Sequence, residues 1–146
     1  HARATKWYLS PGTIFIHDKN YQNMLQDMDM QPGGILLTRV ISHPAKGLFT
    51  LDLGYKGIAS DPPLEKRGVI VGMEQSARPI SQNEEHWVFQ MAEGQEDARP
   101  PIGSVLYVIP GHICPTSALY PSALIAQNGE IVDEWMVTAR NRKINY

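Results

Sequence analysis

Apolar and polar positions alternate over short stretches of this chain far more often than they recur at helical spacing. The run His86-Trp-Val-Phe-Gln-Met91 alternates with one apolar face, which predicts a half-buried strand. Gly34-Ile-Leu-Leu-Thr-Arg-Val-Ile-Ser42, Leu48 to Leu53, Arg67 to Gly72 and Gly103 to Ile109 read as further strands. They are rich in branched apolar residues and bounded by glycine and proline. Thr13-Ile-Phe-Ile-His17 reads as another, after a Pro11-Gly12 turn. The strongest local signal is a hairpin from Ala123 to Val137. Its Asn128-Gly129 centre suits a type I′ turn, because both residues accept positive φ. Helical spacing occurs only in Tyr21 to Met30, with Met24, Leu25 and Met28 as a packing stripe, and Pro32-Gly33-Gly34 stops it.

Short strands at fairly regular intervals predict an all-β fold, mainly antiparallel: a β-barrel or sandwich with at most one short helix. Glu93 to Pro101 reads as a solvated loop. No repeat, low-complexity tract or linker divides residues 1–146, which read as a single domain.

Composition narrows the function classes. Hydrophobic residues make up 42% of the 146 and charged residues 19%, an ordinary globular balance. The net charge is −2 with no basic stripe, which argues against a nucleic-acid binder. A single cysteine cannot form an internal disulfide, so a reducing, cytoplasmic location is expected. No apolar run approaches the roughly 18 residues that cross a bilayer, so no membrane partner is expected. His1 to Lys6 carry no signal-peptide pattern.

The segment with the most chemistry is Pro110-Gly-His-Ile-Cys-Pro115. If it is extended, alternation sets His112 and Cys114 on one face. Imidazole nitrogen and thiolate sulfur suit zinc, and two ligands leave positions for a side chain, water or substrate. The plainer alternative is a buried small cysteine and an ordinary loop histidine. Asp52-Leu-Gly-Tyr-Lys-Gly-Ile-Ala-Ser-Asp61 gathers polar groups at a strand end. There Asp52, Lys56 and Asp61 either face a pocket for a charged substrate or are surface charges on a loop. In Glu84-Glu85-His86 a carboxylate adjoins an imidazole, but neighbours on a strand point to opposite faces, so a polar strand start is the alternative. His43-Pro44 is a loop with no assigned role. There is no Gly-x-Ser-x-Gly elbow and no phosphate-binding glycine loop. None of the six lysines has a recognisable Schiff-base setting. A cofactor-dependent reaction run by this chain alone therefore lacks its central nucleophile.

Taken in order, these segments resemble the C-terminal β-domain of the D-threonine aldolase and D-serine dehydratase family, pyridoxal-phosphate (PLP) enzymes of the alanine-racemase-like fold type. Leu9-Ser-Pro-Gly-Thr-Ile-Phe-Ile-His-Asp18 is similar to the family's Arg-Pro-Gly-x-Tyr-x-x-x-Asp segment, with Ser10 where arginine is common. Asp52 to Asp61 resembles its Asp-x-Gly segment ending in Ser-x-Asp, and Glu84-Glu85-His86 its Glu-His strand start. Pro110 to Thr116 resembles the Pro-x-His-x-Cys-Pro-Thr metal motif, the most specific match. Asp133 to Arg140 resembles the closing strand, with Asn141 replacing the usual glycine. The likeness runs from Leu9 to about Arg142.

The resemblance implies that His112 and Cys114 ligate zinc or another divalent metal, with Asp52, Asp61 and His86 as substrate-pocket candidates. Cysteine at 114 leans to the dehydratase pattern. In the family a lysine on an N-terminal (β/α) barrel binds PLP, and a barrel of that kind needs about 200 residues or more. The chain is thus expected to be the C-terminal portion of a longer enzyme, inactive alone. That enzyme would be a lyase of small D-hydroxy-amino acids and a homodimer. The metal would polarise a substrate hydroxyl, for dehydration or for retro-aldol cleavage. A different reading is a non-catalytic stand-alone β module that binds a partner or metal. A third, an independent zinc hydrolase, would need His86 as a further ligand.

Overall fold

A computed structural model describes residues 8–141 and Lys143. The His1 to Lys6 stretch, and Arg142 at the far end of the resemblance, lie outside the described residues. The described residues form eight strands: β1 (Leu36–Ser42), β2 (Leu48–Leu51), β3 (Gly68–Ile70), β4 (Ala77–Gln82), β5 (Trp87–Met91), β6 (Val105–Pro110), β7 (Ser122–Gln127) and β8 (Glu130–Met136). The first six form one sheet in the order β3-β6-β1-β2-β5-β4, and β7 and β8 form a separate pair. Every strand pairing is antiparallel, as expected.

The connectivity forces the large sheet to curl. β3 and β4 follow one another in the chain yet occupy opposite edges. Laid flat, those edges would stand about 24 Å apart, five strand spacings. The link 71–76 is folded into tight turns, with Met73 N donating to Ile70 O at 3.0 Å and Ala77 N to Met73 O at 3.1 Å, so it cannot span that gap. The result is a curled half-barrel. At the end of the edge strands away from that link, Arg67, just before β3, donates from Nη1 to Oε1 of Gln82 at the end of β4 (2.8 Å).

The concave face is the core. In β5, Trp87, Phe89 and Met91 alternate inward, and Phe49 and Leu51 of β2 lie directly opposite Phe89 and Trp87. Phe49 stacks on Phe89 at 5.6 Å, and Trp87 tilts against Phe89 at 4.8 Å. Val40, Leu53, Ile58, Ile70 and Val108 complete the cluster. Full burial of each large side chain contributes about 1.5–3 kcal/mol. The hairpin turn is as predicted, with φ of 52° at Asn128 and 84° at Gly129. Every residue of β8 is exposed.

Four expectations are corrected. Thr13 to His17 is not a strand: Thr13–Phe15 forms a 3₁₀ turn closed by Phe15 N donating to Gly12 O, and no strand among the described residues pairs with it. The first helix, α1 (Lys19–Met24), starts earlier and ends sooner than Tyr21 to Met30, because Asp18 caps it by accepting from Tyr21 N at 2.9 Å. Met24 is exposed rather than part of a packing stripe. The described residues hold two short helices rather than at most one, the second being α2 (Ile113–Ser117). β4 was not anticipated because Pro79 interrupts its pattern. It is tolerated there because β4 is an edge strand and the register shifts beside the proline. Among the described residues no helix is long and apolar enough to cross a membrane.

Candidate functional site

The His-x-Cys segment does not continue β6 as an extended chain. β6 stops at Pro110, and Gly111 turns the backbone tightly under the 3₁₀ turn Leu64–Lys66. A Cβ on Gly111 would lie 1.8 Å from the Lys66 carbonyl oxygen, so only glycine fits. His112 is then the N-cap of α2, with extended backbone (φ −137°, ψ 101°), and Cys114 lies in the first helical turn. Pro115 favours this outcome, since a first-turn residue needs no N–H partner whereas a strand residue does. The expectation that alternation alone sets His112 and Cys114 on one strand face is therefore corrected.

Buried polar contacts fix where α2 starts. Asp18, 1% exposed, accepts from Tyr21 N through Oδ1 and from Ile113 N through Oδ2 (3.0 Å), so one carboxylate anchors both helices. Thr116, equally buried, donates to His112 O (2.7 Å) and accepts from Ala59 N (3.0 Å). Tyr120 donates its hydroxyl to Gly57 O at 2.7 Å. Burial pushes the Tyr120 phenol pKa up, and the negative charge of Asp52 adds to the shift. Thr116 and Tyr120 together clamp the loop after β2 against α2.

That clamp delivers Asp61 to His112, whose Nδ1 lies 2.6 Å from Asp61 Oδ2. Both side chains remain partly open to solvent, at 39% for His112 and 54% for Asp61. Cys114 is a free, exposed thiol 2.9 Å from Thr13 Oγ1. The histidine and the cysteine thus take different partners. Among the described residues no three His, Cys, Asp or Glu side chains are grouped to hold a metal ion. The donor chemistry nevertheless fits part of a zinc site: an imidazole with one nitrogen occupied by a carboxylate and an exposed sulfur two residues on.

The other candidates lie apart from this centre. Asp52 accepts from Thr38 Oγ1 (2.6 Å) and from Arg39 N (2.7 Å), which ties the end of β2 to β1. Lys56 pairs with Glu84 at 2.8 Å and Glu85 at 3.0 Å on the open surface, which raises the lysine pKa and lowers that of Glu84. His86 is exposed at the start of β5, and His43 Nε2 lies 2.9 Å from Pro100 O. A depression of about 420 Å³ lined by Arg78, Gln90, Met91, Ala92, Glu93 and Glu96 contains none of these groups.

Sequence reasoning missed Asp18, Thr116 and Thr13 as site-building residues. Asp18 carried a signal as an N-cap type ahead of a helical pattern, and Thr116 as the closing threonine of the Pro110 to Thr116 motif. His17 is also buried, at φ 62°, and neither of its ring nitrogens has a hydrogen-bond partner among the described residues. Nothing in the structure explains it.

A family model described as "Putative serine dehydratase domain" matches residues 35–126, most of the chain. A D-threonine aldolase from Arthrobacter sp. is 31% identical over 107 residues, 72% of this chain but 26% of that enzyme. The chain thus spans about a quarter of that relative. An uncharacterised Mycobacterium tuberculosis (H37Rv) protein is 29% identical over 94 residues, 64% of this chain and 70% of that protein, which is therefore of comparable length. The D-threonine aldolase of Filomicrobium marinum shares the fold at a TM-score of 0.68 and 21% identity, over 77% of this chain and 29% of that one. D-threo-3-hydroxyaspartate dehydratase from Delftia sp. HT23 does so at 0.58 and 24%, over 70% and 31%. Solved variants of a D-threo-3-hydroxyaspartate dehydratase replace a cysteine by alanine, in a metal-free form, and a histidine two positions earlier.

Proposed function

Because the chain belongs to the serine dehydratase domain family, we propose that it is the metal-binding β-domain of a PLP-dependent lyase of D-hydroxy-amino acids. The observation that carries this reading is the His112–Asp61 contact at the head of α2, two residues before the exposed thiol of Cys114. The replaced His-x-Cys pair of the dehydratase variants, one of them metal-free, supports the same assignment. His112 and Cys114 would hold zinc or another divalent ion, which supplies Lewis-acid polarisation of a substrate hydroxyl.

The chain's own part is to present the two donors from a fixed backbone. Gly111 sets the turn, Asp18 holds the helix start, and Thr116 locks His112 O to the loop that brings in Asp61. His86 and Asp52 remain substrate-pocket candidates only where another part of the enzyme closes over them. PLP belongs, in this reading, to a part of the enzyme outside this chain. The whole enzyme would be a cytoplasmic homodimer with small D-amino acids as substrates.

The mycobacterial relative of comparable length favours a second reading, a stand-alone β module that binds a metal or a partner. A turnover assay tests the lyase reading. The chain is incubated with PLP, zinc and D-threonine, D-serine or D-threo-3-hydroxyaspartate. No carbonyl product is expected from the chain alone, and turnover without a partner domain would contradict the assignment.

A further inference from the structure

We propose that Asp61 is a positioning residue that fixes the proton of His112 on Nδ1 and so presents the Nε2 lone pair outward. The inference deepens the metal reading above and rests on it for its purpose. An ionised carboxylate has no proton to give, so at 2.6 Å from Asp61 Oδ2 the ring must donate through Nδ1–H. Neutral imidazole carries one ring proton, so Nε2 is then the free donor atom. A carboxylate on the far nitrogen of a ligating histidine fixes the tautomer, orients the ring and raises its basicity.

The contact is built rather than incidental. Asp61 follows Ile58 and Ala59, both buried, with Ala59 N held by Thr116 Oγ1. The same Thr116 donates to the carbonyl of His112 itself, so one buried side chain sets the spacing between the two partners. Tyr120 grips Gly57 from the other side of the loop. Asp61 and His112 are 51 residues apart, and two independent clamps hold their backbones together.

The test combines a spectrum with a binding measurement on the 146-residue chain. Nitrogen-15 NMR of histidine-labelled protein, recorded over a pH series, reports the tautomer of the neutral His112 ring, assigned against His112→Gln. Zinc affinity is measured by competition with a chelator. Wild type is expected to carry its proton on Nδ1. Asp61→Ala should move it to Nε2 and weaken zinc binding by roughly 10–100-fold. Asp61→Asn keeps an acceptor oxygen, so it should retain the Nδ1 proton and restore most of the affinity. A wild-type proton on Nε2, or a tautomer unchanged in Asp61→Ala, overturns the proposal. So does an Asp61→Asn variant that keeps the tautomer yet loses as much affinity as Asp61→Ala, since Asp61 would then be a ligand. If wild type binds no zinc, the metal reading fails while the tautomer still decides the role of Asp61.

Discussion

Asp18 Oδ2 accepts the backbone N–H of Ile113 across 95 residues of chain, inside the protein, while its other oxygen caps α1. The start of α2, and with it His112 and Cys114, is therefore held by a carboxylate from the opposite end of the sequence.

Replacing Asp18 by alanine removes a helix cap and leaves a buried N–H without a partner. The two effects together should cost about 2–4 kcal/mol. Asp18→Asn keeps an acceptor for one of the two N–H groups and should cost less. Urea denaturation of both variants checks the order.

Gly111→Ala has no room, because its Cβ would fall 1.8 Å from Lys66 O. Backbone has to move, and a loss of about 3 kcal/mol or more is expected. Thermal unfolding measures it. Gly72→Ala provides the contrast, since its Cβ would meet nothing within 4 Å and only its φ of 80° resists.

Phe49 is fully buried against Phe89. Phe49→Ala should destabilise by about 3–5 kcal/mol, whereas Trp135→Ala on exposed β8 should change chain stability little. Chemical denaturation of the two variants separates core from surface.

The Tyr120 phenol has a raised pKa in the folded chain, first through burial and then through Asp52. Its stabilising contribution is full below the ordinary tyrosine pKa and is lost as pH rises through the higher folded value. An ultraviolet pH titration should show a late tyrosine ionisation, and Tyr120→Phe should remove that step.

Strand periodicity was legible wherever one face is buried, as in Trp87-Val-Phe-Gln-Met91, because alternation is itself the consequence of a half-buried sheet. The Asn128-Gly129 turn was legible because φ preference is local. β4 was hidden by Pro79, whose tolerance depends on its being at an edge, a tertiary fact. Thr13 to His17 has strand-like residues, but no strand among the described residues pairs with it. At the site, His112 and Cys114 stood out by chemistry, while Asp61 was read as a pocket residue. Its contact with His112 depends on Thr116 and Tyr120 drawing a distant loop inward, which no local pattern records. The helix beginning at Ile113 was likewise hidden, because a five-residue helix shows no apolar periodicity.

The most direct measurement is a cobalt(II) titration of the chain, because sulfur bound to cobalt gives a thiolate charge-transfer band that nitrogen or oxygen ligands do not. Wild type should develop that band and saturate at one ion per chain. Cys114→Ala should lack the band, and His112→Ala should need far more cobalt to reach it. A wild-type chain that shows no thiolate band, or a His112→Ala variant that saturates like wild type, would contradict the assignment of His112 and Cys114 to a shared metal ion.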